Sequence, residues 1–279
     1  MSNDEQFRFV SLLALELDNG DITLPSLPDV VIKIKNMLES DTADFDQISQ
    51  AVSVDPVLVS KLFVYANSAL YNRANLKIDT LDGAISRLGL EVVRNTAMSI
   101  AMKQLYESDK HSHATKPLRA VWARGMKLSC MAYAIAQRRP EFNQESAFLC
   151  GLMHDVGKLY IITKAKDFPE LLGERGSLEA VFDEWNAQIS KSIIESWGFP
   201  DAVAESADPG TYADDDEDVP PVLADVMLAA KLLLDSNDAG QLAFDRHPSC
   251  AKLGIDEDVA AELLLAYRAK LKTMQQSLA

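Results

Sequence analysis

Apolar residues recur along this chain at spacings of three and four, the period of a helix with one buried face. In "LEVVRNTAMSIAMKQL", Leu90, Val93, Ala97, Ile100 and Ala101 share such a face. Helix-start chemistry accompanies the period. "SLPDVVIKIKNMLES" opens on a capping serine, Ser26, and has Pro28 in its first turn, where a missing N–H costs little. "DFDQISQAV" pairs Asp44 with Gln47 at the spacing of a capping box. "DPVLVSKLFVYANSALY" predicts Asp55 as N-cap with Pro56 at the first helical position. Later helices are expected over about 117–137, 144–164, 178–198, 219–236 and 256–276. Strand alternation is almost absent, and "KIDT", Lys77 to Thr80, is a short extended piece at most. The pattern predicts an all-α fold.

Two polar stretches interrupt it. "ESDKHSHATKP", Glu107 to Pro117, lacks a helical period and ends in proline. It is expected to join two packed helical subdomains, an N-terminal bundle over residues 1–110 and a C-terminal bundle over 117–279. "DPGTYADDDEDVPP", Asp208 to Pro221, reads as a long acidic loop. Its run Asp214 to Asp218 lacks the spaced oxygens, glycine turn and closing carboxylate of a calcium loop, so a solvated loop is expected. The helix pair 44–53 and 56–71 has the outline of a DNA-binding helix-turn-helix. Its second helix offers only Lys61 as a basic side chain, which favours packing within a bundle.

Composition narrows the class. The chain has 279 residues, 48% of them hydrophobic and 25% charged, enough for one large domain or two modest ones with a full core. A formal net charge of -15 repels phosphate backbones and anionic lipids, so neither nucleic acid nor a membrane is an expected partner. No apolar run reaches membrane-spanning length, and "MSNDEQFRF" has no basic stretch leading into an apolar one. The expected location is the cytoplasm. Cys130, Cys150 and Cys250 lie far apart with no C-x-x-C pair, which suits reduced thiols in helices.

The candidate chemistry centres on "GLMHDVGKL", Gly151 to Leu159, with its adjacent His154 and Asp155. "LPSLPDVVIKIKNML", "DPVLVSKLFVYANSALY", "IDTLDGAISRLGLEVVRN", "GLMHDVGKL" and "IIESWGFP" follow one another in order. Together they resemble the HDOD family, the HD-related output domains of bacterial signalling, over about Leu24 to Ala207. The resemblance implies two helical subdomains, one distinctive to the family and one like a degenerate HD phosphohydrolase bundle. It also implies a signalling module without catalysis, with signalling partners supplied in trans from two-component or cyclic-di-GMP systems. No receiver or cyclase segment is expected in this chain.

An active HD site needs metal ligands from several helices, and the ion must acidify a bound water. Against that pattern the chain is depleted. An earlier helix of active relatives supplies a histidine after a Trp-like position; "VWARGMKLS" has Arg124 there, a permanent cation that cannot ligate. Relatives place a histidine about eleven residues before "WG-P", where this chain has Asn186. Where they have paired histidines it offers Pro209 and Gly210. The late-helix aspartate falls on Ala230 or Lys231 according to register, with Asp225 more than a turn earlier. No catalytic residue, cofactor or metal is therefore expected. His154 is expected to be a hydrogen-bonded structural histidine, and Asp155 to form a salt bridge with Arg124 in the space a metal would hold. Lys158 is expected to be a solvated lysine. Two other readings stay open: a residual metal-dependent phosphohydrolase, and a nucleotide sensor, for instance of a cyclic dinucleotide, with Arg124 and Lys158 supplying positive charge.

Other motifs promise less. "HSH", His111 to His113, lies in the join, and His247 with Cys250 lacks the second pair a zinc site requires. Trp122, Trp185 and Trp197 are expected at bundle edges. Asn67, in the apolar "ANSALY", is expected to be a buried amide bonding the loop near Asn72 to Leu76.

Overall fold

The structure, a computed structural model, describes residues 3–19, 27, 29–39, 45–107, 113–168, 171–172, 178–238 and 247–278. Ser26, Pro28, Asp44 and His111 lie outside the described residues. Every regular element among the described residues is a helix, so the chain is all-α. It divides into two compact units, residues 26–105 with 265–279, and residues 1–25 with 106–264.

This division differs from the expected 1–110 and 117–279 in where the chain ends belong. The first helix, α1 (Asn3–Asn19), belongs with the later residues. There Glu16 accepts from the Tyr160 hydroxyl and pairs with Lys164 at 2.5 Å, while Phe9 meets Phe168 edge-on at 5.3 Å. At the other end, Lys270 donates to the Tyr71 hydroxyl at 3.0 Å, and Lys103 to the Leu278 carbonyl at 2.5 Å. Contacts between positions so distant leave no trace in a local hydrophobic period.

The unit of residues 26–105 contains α2 (Asp29–Glu39), α3 (Phe45–Ser53), α4 (Pro56–Ala66), α5 (Leu81–Leu88) and most of α6 (Leu90–Glu107). Its core holds Val31, Ile34, Ile48, Leu58, Leu62, Ile85, Val93 and Met98, all at most 2% exposed. Asp55 caps α4 by accepting from Val57 and Leu58 N–H, with Pro56 following, as the local sequence dictates. Thr80, in extended conformation, caps α5 through Gly83 N–H. Asn67 does hold the intervening loop, but at Ile78 rather than at 72–76. Its amide donates to Ile78 O at 2.9 Å and to Phe63 O at 3.0 Å, and its oxygen accepts from Ile78 N–H at 2.9 Å. Asn67 is exposed, contrary to the expected burial, and Asn72 is the residue that accepts from Leu76 N–H. Asn75 takes the left-handed φ of 52° that turns the chain there.

The other unit is built on α7 (Thr115–Gln137), α8 (Gln144–Met153), α9 (Val156–Lys164), α10 (Glu179–Ser196) and α13 (Leu223–Asp238). The short helices α11 (Asp201–Glu205), α12 (Pro209–Tyr212) and α14 (Pro248–Lys252) complete it, with the start of α15 (Glu257–Leu278). Helix α7 begins inside the expected join, because Pro117 falls in its first turn, where proline is tolerated. Gly151 lets α8 lie directly on α7: a Cβ there would stand 2.4 Å from the Ser129 nitrogen. The expected helix 144–164 is broken at His154–Asp155, and that break creates the site described next.

Candidate functional site

His154 and Asp155 occupy the turn between α8 and α9, so their side chains are not the diverging neighbours of one continuous helix. Asp155 has φ -105° and ψ 20°, outside the helical run. A helix that starts here has first-turn N–H groups without partners of its own. Helix α10 supplies them. Gly157 N–H donates to Ser190 Oγ at 2.8 Å, and Lys158 N–H to Asn186 Oδ1 at 3.0 Å. The approach is close enough that a Cβ on Gly157 would stand 2.5 Å from the Asn186 carbonyl oxygen. Glycine is required there by contact rather than by φ.

The same asparagine turns its other end to the carboxylate. Asn186 Nδ2 donates to Asp155 Oδ1 at 3.1 Å, and Lys158 Nζ pairs with that oxygen at 3.0 Å. Asp155 is 3% exposed, and its backbone carbonyl accepts from the Tyr106 hydroxyl at 3.2 Å. Burial pushes the Asp155 carboxyl up, but the His154 ring, charged only at low pH, and the Lys158 ammonium outweigh it and hold it below the usual carboxylate range. His154, 2% exposed, sets Nδ1 3.4 Å from the Ser206 carbonyl. Burial pushes its imidazole down to about 4, against the pull of the Asp155 charge, so the ring is neutral near pH 7. With Nδ1 carrying the proton toward Ser206, Nε2 is left as an acceptor.

The expected Arg124–Asp155 salt bridge is absent. Arg124 bonds Asp235 Oδ1 at 2.5 Å and lies 3.8 Å from Asp238, both on α13. The reason lies in charge supply: Lys158, three residues beyond Asp155, already satisfies that carboxylate, and α13 presents two acids to the guanidinium. Lys158 is accordingly no solvated lysine, since it is paired and lies 5.7 Å from the Phe182 ring centroid.

Of the late-helix candidates, Lys231 lines the cavity, whereas Ala230 is fully buried in the core. Asp225 belongs to a separate network, accepting from Ser249 Oγ at 2.7 Å and from Val222 N–H at 2.9 Å, and pairing with buried Lys252 at 2.7 Å.

Around these groups lies a cavity of about 440 Å³. Arg124, His154, Asp155, Lys158, Asn186 and Lys231 all line it, so the structure brings together the five positions singled out as degenerate ligands, with Lys158. Pro209 and Gly210 close another side. The set does not fit a divalent ion. Two ammonium groups and a guanidinium stand among the side chains that would have to ligate it, and Asp155 is already neutralised by one of them. Among the described residues no three His, Cys, Asp or Glu side chains stand where they could hold a metal.

Sequence reasoning missed Ser190, whose hydroxyl accepts from Gly157 N–H, Ser206, which acts through its backbone carbonyl, and Asp235. The signal for Asp235 was its place one turn beyond Lys231 on α13. The remaining candidates stay outside the site. His113 is exposed ahead of α7, and His247 caps α14 by accepting from Ser249 N–H at 3.2 Å, which accounts for its spacing from buried Cys250. Trp122, Trp185 and Trp197 are half-buried, Trp122 with its ring 5.9 Å from that of Tyr106. In the acidic run, Asp214 and Asp216 cap their own turns by accepting from Asp216 and Asp218 N–H. No helix among the described residues is long and apolar enough to cross a membrane.

Comparison with known proteins agrees with this architecture. A crystal structure from Shewanella amazonensis SB2B, provisionally named a metal-dependent phosphohydrolase, is 23% identical, with a TM-score of 0.78 over 100% of both chains. One from Marinobacter aquaeolei VT8, provisionally named a signal transduction protein, is 20% identical, with a TM-score of 0.65 over 98% of this chain and 67% of that one. At these identities the likeness is one of fold. An uncharacterized protein of Treponema pallidum (strain Nichols) is 22% identical over 193 residues, and the match spans 64% of this chain but only 36% of that protein. The family model of the HDOD domain matches residues 24–209, two thirds of the chain and the whole of the segment that holds the turn at His154 and its partner Asn186, and this chain belongs to the HDOD family.

Proposed function

We propose that the chain is a non-catalytic signalling module that acts by binding other signalling proteins. One observation carries the non-catalytic part. The Asp155 carboxylate, the strongest ligand left from an HD site, is already held by Lys158 and Asn186, with Lys231 and Arg124 beside it. A metal would have to displace an internal cation and then sit among two more, at a Coulomb cost that its few available ligands cannot offset. Without it, nothing in the site acidifies a water near neutral pH. The partners are those the family suggests, components of two-component or cyclic-di-GMP systems acting in trans. The residual phosphohydrolase reading loses support on the same donor set.

The test is direct. Protein dialysed against Mn²⁺ or Zn²⁺ is expected to retain no stoichiometric metal by elemental analysis and to leave phosphomonoesters and phosphodiesters intact. About one metal ion per chain, together with hydrolysis abolished by His154→Ala, would overturn the reading. The open cavity supports a second role alongside protein binding, that of a small-ligand sensor: Arg124 is drawn off to Asp235 and does not fill the cavity.

A further inference from the structure

Of the three cations that line the cavity, one makes no ion pair among the described residues. Lys158 is taken by Asp155, and Arg124 by Asp235 and Asp238. Lys231 makes no hydrogen bond and no ion pair with any described residue, although it is half-buried and lines the cavity. The four lining acids do not change this. Asp155 and Asp235 are satisfied elsewhere, Asp183 is exposed, and half-buried Asp208 makes no ion pair with a lining lysine among the described residues. Nor does the start of α9 offer a competing anion site, since Gly157 and Lys158 N–H are bonded to α10. The Asp155 and Asp235 charges act on this ammonium only from beyond ion-pair distance, so it is partly withdrawn from water with no carboxylate in contact, which is costly and which a ligand anion would relieve.

The rest of the lining is suited to an organic body. Phe182, Leu128, Leu228, Ala187 and Ala207 provide apolar wall, and about 440 Å³ is the size of a small-molecule site. His154 Nε2 adds a neutral acceptor.

We propose that this cavity is a receptor site for a small molecule with a phosphate or carboxylate head group, anchored by the Lys231 ammonium, with its body against Phe182, Leu128 and Leu228. The proposal rests on the metal-free reading of the site. The ligand is bound and not transformed, because the cavity holds no set of side chains fit to ligate a Lewis-acidic metal.

Calorimetric titration of the full chain in EDTA tests it, with phenyl phosphate, benzoate and uncharged benzyl alcohol as probes. At least one anionic probe should bind saturably with one site, and benzyl alcohol about tenfold more weakly or worse. A preference for phenyl phosphate assigns a phosphate head, and a preference for benzoate a carboxylate. Lys231→Met should weaken the anionic probe by about tenfold or more, while Lys61→Met on the other unit leaves it unchanged. If Lys231→Met fails to fold, Lys231→Arg serves instead: retained binding of the anionic probe with benzyl alcohol still excluded supports a charge anchor. Absence of binding by both anions, or equal binding by Lys231→Met, overturns the proposal. Failure of the metal-free reading would look different, as release of phenol from phenyl phosphate in the presence of Mn²⁺ and not in EDTA.

Discussion

Acidification should destabilise this protein through one buried imidazole. In the fold His154 resists protonation until about pH 4, because burial disfavours its charge. In the unfolded chain a histidine accepts a proton near pH 6.5. Between those values the unfolded state binds one more proton than the native state, so stability falls as pH falls. The contribution is fully present above the unfolded value and declines steadily toward pH 4. The whole displacement corresponds to roughly 3 kcal/mol, and about 2 kcal/mol of it should be lost by pH 5. Urea unfolding of the wild type and His154→Gln at pH 8 and pH 5 isolates the effect. Glutamine can still donate to the Ser206 carbonyl but does not titrate. The 42 carboxylates contribute to both proteins and cancel in the difference. The wild type should lose about 2 kcal/mol more than the variant between the two pH values. Parallel losses would show that His154 titrates normally and that the site is wetter than its burial indicates.

Three further outcomes follow from particular contacts. Lys252→Met should cost about 3–5 kcal/mol in chemical denaturation by stranding the fully buried Asp225, and the added change Asp225→Leu should recover much of it; a single variant as stable as wild type would refute the pairing. Arg124→Ala should cost no more than about 1 kcal/mol, since its partner Asp235 is 64% exposed, and a large loss of Tm would mean the guanidinium has a buried role. Asn67→Ala should lower stability by about 1–3 kcal/mol in thermal unfolding, because it removes the amide bonds that hold Ile78, and an unchanged Tm would show that loop to be fixed by Asn72 and Thr80 alone.

What could be read in advance was local. Asp55 and Pro56 announce α4 within three residues. On α6 the period picks out Val93, Ala97, Ile100 and Ala101, all buried, but not Thr96, Met98, Ser99 and Met102, which are buried as well. The five residues that the motif spacing singled out, Arg124, His154, Asp155, Asn186 and Lys231, line one cavity. What was not legible was who pairs with whom. Arg124 and Asp235 are 111 positions apart, and no local pattern tells a guanidinium to prefer Asp235 over Asp155. The register among Asp225, Ala230 and Lys231 likewise needed the neighbouring helices, because a helix period defines faces and not their partners. Helix α1 was missed, and its place is set by Glu16 and Phe9 meeting residues about 150 positions away.

The degenerate site is an interlocked set and not a list of lost ligands. Asn186 stabilises the start of α9 through Lys158 N–H and neutral-bonds Asp155 with its other end, so a histidine at 186 would remove both bonds at once. Lys158 cannot leave Asp155 without stranding a carboxylate that is 3% exposed. An aspartate at 231 would add a third acid near Asp155 and Asp235 while removing a cation that moderates them. Each single change toward a metal site is therefore opposed by the remaining cations, and only a concerted replacement of Arg124, Asn186 and Lys231 would present a shell in which an ion could compete. That mutual support also explains how the cavity persists in the absence of ligating side chains: its walls are held by ion pairs and helix-start hydrogen bonds that require no metal to form.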